Sequence, residues 1–494
     1  MIADEKTNVE EDEERPQHAP ASETIIVDWD GPQDHENPKM WTFREKWAAT
    51  AIVSMFNFIS PISSSMVAPT TDTIAQQFGV TSTVQTAMIT SIFVLAYGTF
   101  RLSLLGPLSE IFGRSRIIQG ANAFTCAVWN LVCSFAQSET QLIVFRFLAG
   151  LGSSAPLAVG GGVLGDIWLP EERGKAISVY SLAPLLGPVI GPLTGAWIAQ
   201  RSTWRWVFWS TSIVDAGIQV AGIFWLKETY APHSGYGKSL ADDPEKAGVN
   251  VDVRTVYDSE DRTWKKIFSK ALTRPFMIFT REPIAQVIGF YIAFVYGVFY
   301  LFLTTIPLVF SRVYNESPGI AGLNYIALGV GLSSASQVNA RYMDKIYIYL
   351  KKKNGGVGEP EFRVPSMALG AFILPIGLFM TGWAAEKAVH WIVTDIGMTF
   401  VAAGMILCFQ SMQTYVVDCF TLHAASALAA VSCLRSLAGF GFPLFAPTMY
   451  DHLGFGVGDS ILGAVAILIG WPAPIIFWKY GKTIRKASKY AKKP

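Results

Sequence analysis

The chain has 494 residues, 51% of them hydrophobic and 16% charged, with a formal net charge of +1 and a mean hydropathy of +0.33. About a quarter of an ordinary soluble domain is charged, so this composition argues against a soluble globular protein, and the balanced charge argues against a nucleic-acid or polyacidic partner. Runs such as "WAATAIVSMFNFISPISSSMVA" (47–68) and "SILGAVAILIGWPAPIIFW" (460–478) reach the roughly 20 apolar residues that cross a bilayer core as a helix.

In chain order, residues 1–46, with "NVEEDEERPQHAP", are polar and acidic and read as a disordered cytoplasmic tail, with no signal peptide ahead of the first span. Six apolar spans follow, at 47–68, 86–105, 117–136, 141–164, 176–198 and 206–226, forming a first half over 47–226. A charged linker, 227–283, leads to six more, at 284–310, 319–340, 364–384, 388–412, 424–446 and 459–478, forming a second half over 284–478; a basic cytoplasmic tail, 479–494, closes the chain. Internal Pro and Gly do not disqualify these spans, because neighbouring helices re-satisfy the freed backbone groups. With residue 1 inside, the loops on that side carry about twenty Lys and Arg against about four outside, which places both termini in the cytoplasm. In the linker, "KKIFSKALTRP" (265–275) has basic and apolar residues at helical spacing, and reads either as a helix on anionic headgroups or as a solvated connector. None of the five cysteines, Cys126, Cys133, Cys408, Cys419 and Cys433, falls in an outer loop, so no disulfide framework is expected.

The loop after the second span, "LGPLSEIFGRSR" (105–116), concentrates an acid and two arginines between two apolar runs. It resembles the Gly-x-Leu-x-acid-x-x-Gly-Arg-x-Arg/Lys signature of the major facilitator superfamily. "RFLAGLGSSAPLAVGGGVLGDIW" (146–168) is similar to that family's fourth-span signature, and "GPVIGPLTGAWI" (187–198) to its antiporter signature. With "WRWVFW", "KETYAP" and "RSLAGFGFPLFAPTMY", the likeness over roughly 30–480 is to fungal twelve-span drug:proton antiporters. It implies an all-α membrane protein, with twelve transmembrane helices in two six-helix halves around a central cavity.

The resemblance implies a cytoplasmic gate built from Gly106, Glu110, Gly113, Arg114 and Asp166. Glu110 would face the N-terminus of the eleventh span near "TLHAAS" (421–426), Arg114 would tie to Asp166, and the two glycines would permit a tight turn. Arg114 and Arg116 serving only membrane topology is the plainer reading. In the fifth span Gly187, Pro188, Gly191, Pro192 and Gly195 make a kinked, smooth-faced helix; the family reading is that this face seals the halves against leak, and the plain one is packing.

Ionisable residues inside spans are functional candidates by default. Arg146 in the fourth span, Asp215 in the sixth and Arg435 in the eleventh are candidates for proton coupling, against structural pairing as the alternative. Arg101, about a turn from a cytoplasmic helix end, either snorkels or contacts an anionic substrate group. In the seventh span Tyr296 and Tyr300 share a face beside Phe299, suiting an amphipathic planar molecule, with Asn57, Gln410 and Gln413 as polar contacts; packing or lipid exposure is the alternative.

Among rivals, "GYGKS" (235–239) is not a P-loop, because Pro232 stands where its first glycine belongs and no strand precedes it. No metal-spaced His/Cys cluster or nucleophile–base motif suggests an enzyme, and the short basic end suggests no signalling tail. A proton symporter for nutrient uptake is the alternative on the same fold, disfavoured by "KETYAP" where sugar porters carry "PESPR". The expectation is a monomeric proton-coupled efflux transporter for lipophilic small molecules, without cofactor, metal or nucleic acid. Its partners are substrate, protons and the bilayer, and it is expected in the plasma membrane, with a vacuolar or vesicle membrane as the alternative.

Overall fold

The computed structural model describes residues 24–27, 34, 37–99, 105–169, 172–230, 252–255, 264–420 and 424–488. Helix lies under every expected span. We label these helices α1 (Phe43–Ser65), α2 (Thr83–Thr99), α3 (114–133), α4 (Glu139–Ile167), α5 (Arg173–Arg201), α6 (Arg205–Trp225), α7 (Pro283–Arg312), α8 (Tyr325–Lys353), α9 (Val364–Glu386), α10 (Trp391–Phe420), α11 (424–453) and α12 (455–487). α3 passes through a π-helical stretch, Ala123–Trp129. α11 and α12 part at Gly454, whose φ of 77° is left-handed. Among the described residues, eight helical stretches are long and apolar enough to cross a bilayer, one of them, Ser426–Lys486, spanning α11 and α12 together. Ile213, Phe224, Leu468 and Ile475 stand exposed, as lipid-facing positions do and a soluble fold avoids in quantity.

Three ends differ from expectation, each for a local reason. α1 begins at Phe43, because Thr42 and Glu45 form a reciprocal capping box (Thr42 N–H to Glu45 Oε2 3.0 Å, Glu45 N–H to Thr42 Oγ1 3.4 Å) that Lys227 Nζ extends at 3.0 Å from Glu45 Oε1. Within the stretch read as a disordered tail, the β-branched run Thr24–Val27 (β1) pairs in parallel with Asp252–Thr255 (β2) of the linker. At the other end the helix runs on to Ala487 rather than stopping at 478. There Arg485 is 2% exposed and grips Glu361 in a two-pronged pair, Nε to Oε1 and Nη2 to Oε2 both 2.8 Å. A solvated basic tail would not bury an arginine. The linker also contains the helix Trp264–Arg281, whose Ile278 is fully buried in the core of the second half while Phe276 is exposed.

The glycines and prolines of α5 explain how it packs. Gly187, Gly191 and Gly195 recur every fourth residue and face α1, where a Cβ would strike Pro61, Ser65 and the Met66 backbone respectively. This face therefore joins two helices of the same half, which corrects the expectation that it seals one half against the other. The inter-half contact lies on another side of α5: Val189 fits against Gly329, and Leu193 and Ala196 against Gly322. Val94 and Val189 accordingly belong to the core of the second half. Proline also frees carbonyls. Pro184 has no N–H for Tyr180's carbonyl, and Asn57 Nδ2 donates to that oxygen instead at 3.3 Å.

At the ends of the halves bearing the 106–116 loop, the two halves repeat a charge arrangement. Arg114, opening α3, pairs with Asp166 at the end of α4; Arg363, just before α9, binds Asp418 at the end of α10 (3.0 Å) and Asp344 in α8 (2.7 Å).

Glu361→Ala should leave Arg485 as an uncompensated buried charge and lower stability by about 3–5 kcal/mol, whereas replacing both by apolar residues should recover much of it; thermal unfolding of the purified protein measures both. Gly195→Leu should push α1 from α5 and lower stability by about 1–3 kcal/mol, with little change for Gly161→Leu, where a Cβ meets open space.

Candidate functional site: a central cavity

A cavity of about 250 Å³ lies between the halves. Its first-half wall comes from Ser60, Pro61 and Ser64 of α1, Phe93, Val94 and Tyr97 of α2, Leu157 of α4, and Tyr180, Ser181, Pro184, Leu185 and Pro188 of α5. The second half adds Tyr296, Phe299 and Tyr300 of α7, Leu332 of α8, Met405, Ile406, Phe409, Gln410 and Gln413 of α10, and Arg435 of α11. The walls are apolar or aromatic with a few polar tips, the usual make-up of a small-molecule site.

The α7 aromatics meet as their spacing demands. Tyr296 and Tyr300 rings are 4.9 Å apart, Phe299 is 6.4 Å from Tyr296, and Phe409 closes the group at 6.3 Å from Tyr296. Gly439 on α11 leaves the room that Tyr296 occupies. Gln410 is already engaged: its Oε1 accepts from Asn339 Nδ2 at 2.9 Å and its Nε2 donates to Ser336 Oγ at 2.8 Å. Gln413 has no hydrogen bond with a described side chain, which leaves its amide to the cavity. Asn57 does not line the cavity; it serves the Tyr180 carbonyl behind the wall.

The three intramembrane ionisable candidates separate. Arg146 is fully buried and outside the cavity lining. Its guanidinium donates to the carbonyls of Ser63 (2.8 Å), Ser64 (2.9 Å), Ile89 (3.1 Å) and Thr90 (3.4 Å), and lies 4.9 Å from the Phe93 ring. Ser63 and Ser64 are in the last turn of α1, where carbonyls lack helical partners and the helix dipole is negative; Arg146 therefore caps α1 and ties α4 to α1 and α2. Asp215 is also buried outside the lining, its Oδ1 accepting from Asn122 Nδ2 at 2.7 Å and its Oδ2 left without a hydrogen bond among the described residues. Arg435 alone of the three faces the cavity, 5% exposed, with its Cζ 4.7 Å from the Tyr296 ring and 5.2 Å from Phe409.

Of the loop residues, Gly113 has φ 92°, a conformation that a side chain would strain, and so ends the short helix Gly106–Phe112 ahead of α3. Gly106 lies at the first turn of that short helix with open space around it, so the tight-turn expectation fails there. The Glu110 side chain, residues 421–423 and Arg101 lie outside the described residues.

A half-buried acid, Glu228, and a buried one, Asp459, hold positions that local sequence pattern does not announce. Glu228 of "KETYAP" accepts from the Arg114 N–H (2.9 Å) and the Ser115 N–H (3.2 Å), capping α3, while Arg114 lies 5.2 Å from the Tyr230 ring. Its signal was an acid just past the sixth span. Asp459 in α12, 3% exposed, accepts from Tyr450 Oη at 2.6 Å; it stands first in the expected twelfth span, and its position at the edge of the apolar run gave no sign of a partner.

The described residues hold no cluster of His, Cys, Asp and Glu fit for a metal ion. Similarity to known proteins agrees with the architecture. The profile of the Major Facilitator Superfamily matches residues 53–443. The chain is 47% identical to "Efflux pump vrtL" of Penicillium aethiopicum, the match covering 94% of this chain and 91% of that one. It is 36% identical to "Efflux pump radE" of Floropilus chiversii, over 94% and 86%. Among solved structures, a D-xylose-proton symporter superposes with a TM-score of 0.63 at 17% identity, covering 88% of this chain and 97% of that one; at that identity the likeness speaks for the fold alone. A cavity set between two helical halves, lipid-facing flanks and a family match across most of the chain lead to one conclusion: the chain belongs to the Major Facilitator Superfamily and is a membrane-embedded transporter.

Proposed function

We propose that this transporter exports lipophilic, amphipathic small molecules in exchange for protons, by exposing the central cavity alternately to each side of the membrane. The observation that carries this reading is the cavity wall: aromatic rings from α2, α5, α7 and α10 surround it with few polar tips, a lining for flat apolar compounds rather than for a sugar. Relatives named efflux pumps support the direction of transport. In this reading the protein is a monomer of the plasma membrane with both termini cytoplasmic.

At the end read as extracellular the halves touch, with the Gly319 N–H donating to Gln200 Oε1 at 2.8 Å and the Thr83 and Thr448 hydroxyls 3.4 Å apart. At the opposite end, the Arg114–Asp166 pair and the Glu228 cap fix the 106–116 loop to its own half. In our reading this clamp, with Gly106, Glu110 and Gly113, presents the loop to α11 when the cytoplasmic side closes.

Proton exchange needs a group that changes its charge, and arginine does not deprotonate in proteins. Asp215 is therefore the proton carrier we propose among the three intramembrane candidates. Its bare carboxylate oxygen, deep between α3 and α6, supports the assignment. Arg146 holds the frame in which coupling occurs, and Arg435 acts in the cavity. A membrane potential of 100 mV, worth about 2.3 kcal/mol per charge, would sustain a roughly fifty-fold gradient of a neutral substrate exchanged for one proton.

In proteoliposomes loaded with a neutral lipophilic fluorophore, an imposed proton gradient should drive export and a protonophore should abolish it; export that persists without the gradient overturns antiport, and gradient-driven uptake reverses the direction. Asp215→Asn should retain binding and lose the dependence of export on the gradient, a result that unchanged coupling would contradict. Arg114→Ala should weaken the closed cytoplasmic state by about 1–2 kcal/mol, lowering turnover about five- to thirty-fold with binding little changed. Reversing both charges, with Arg114→Asp and Asp166→Arg, should recover part of the loss; turnover together with cysteine accessibility from the cytoplasmic side reads this out.

A further inference from the structure

Arg435 is the only charged side chain among the described residues lining the cavity. It is 5% exposed, and among those residues it has neither an ion pair nor a hydrogen bond; its Nε is fully enclosed without an acceptor. The other two buried arginines are satisfied, Arg146 by four carbonyls and Arg485 by Glu361. A buried charge without partners is expensive, and guanidinium cannot escape by losing its proton. The Tyr296 and Phe409 rings, 4.7 and 5.2 Å from its Cζ, ease the charge through their faces. Among the described residues they leave the N–H edges, part of a five-donor planar fork, without acceptors. The titratable groups around it in the cavity are the phenols of Tyr97, Tyr180, Tyr296 and Tyr300, with no carboxylate among the described lining residues.

We propose that the cavity selects planar aromatic acids, binding a carboxylate on the N–H edge of Arg435 while the ring system lies against Tyr296 and Phe409. A carboxylate matches the guanidinium fork with two parallel hydrogen bonds, and its charge neutralises the only fixed charge among the described lining residues. A cationic amphiphile meets the opposite situation, a like charge in an enclosed site and no acid among the described lining residues to receive it. The inference rests on the export reading, which makes this cavity the substrate site. It narrows the substrate class from lipophilic compounds in general to anionic ones.

The test compares three probes of one shape, 2-naphthoate, 2-naphthamide and 2-naphthylmethylammonium, binding to the full-length protein in nanodiscs by calorimetry. 2-Naphthoate should bind at least about tenfold tighter than the amide, with the ammonium weakest. Arg435→Gln should remove that preference by lowering naphthoate affinity about tenfold while sparing the amide, and Arg435→Lys, which keeps the charge but loses the fork, should fall between. Unfolding curves for each variant check that the fold survives; if Arg435→Gln fails to fold, the wild-type ranking and Arg435→Lys still decide. Equal binding of the three probes, preference for the ammonium, or loss of naphthoate binding in physiological chloride overturns the assignment and leaves export standing. Met405→Trp, which fills the cavity, tests the underlying reading separately: it should abolish export and the binding of all three probes, and export at the normal rate would remove the cavity as substrate site and this inference with it.

Discussion

In hydrocarbon no water is available to a stranded carbonyl or charge, so each must find its partner within the protein. Much of this structure follows from that requirement. Pro184 strands the Tyr180 carbonyl, and Asn57 reaches across from α1 to supply the missing donor. α1 ends at Ser65, and Arg146 spreads one guanidinium over its last carbonyls and those of α2. Two polar side chains that look like transport machinery in the sequence, Asn57 and Arg146, thus serve stranded backbone carbonyls. They also decide which helices move together, because each repair crosses from one helix to another.

The charges at the loop-bearing end follow the same rule with a different result. There Arg114 and Asp166 bind helices of one half, and Arg363 with Asp344 and Asp418 binds helices of the other. Among the described residues none of these pairs joins the two halves, while the opposite end has direct contacts between them. Each half is thereby stiffened internally and left to meet its partner through small residues and apolar surface, such as Val189 on Gly329. That arrangement suits two bodies that rock against each other.

The spans, their division into halves and the aromatic patch of α7 were legible in the sequence because they rest on length, hydropathy and helical spacing. The Arg114–Asp166 pair was reachable only through family resemblance, since 51 residues separate the two along the chain and no local pattern links them. Orientation about a helix axis was the weak point. Gly187, Gly191 and Gly195 announced a smooth face, yet nothing in their spacing said whether α1 or the other half lay against it. The role of Asn57 depended on a proline 127 positions away, Asp459 had no local signal of its partner, and Arg485 fell in the stretch read as a solvated basic tail. In each case the deciding fact is a tertiary neighbour.

The charge of Arg435, unpaired among the described residues, also makes the protein an object on which voltage acts. If the cavity opens alternately to the two sides, as proposed, a cation fixed in its wall takes a different electrical position in each state, whether or not anything is bound. With the whole drop across 100 mV worth about 2.3 kcal/mol per elementary charge, even a fraction of that drop biases the empty protein toward the side at negative potential. An anion resting on the arginine cancels the bias. In the proposed exchange the field would act through the arginine on the return of the substrate-free protein, so that the potential across the membrane would set how often the cavity is presented for filling.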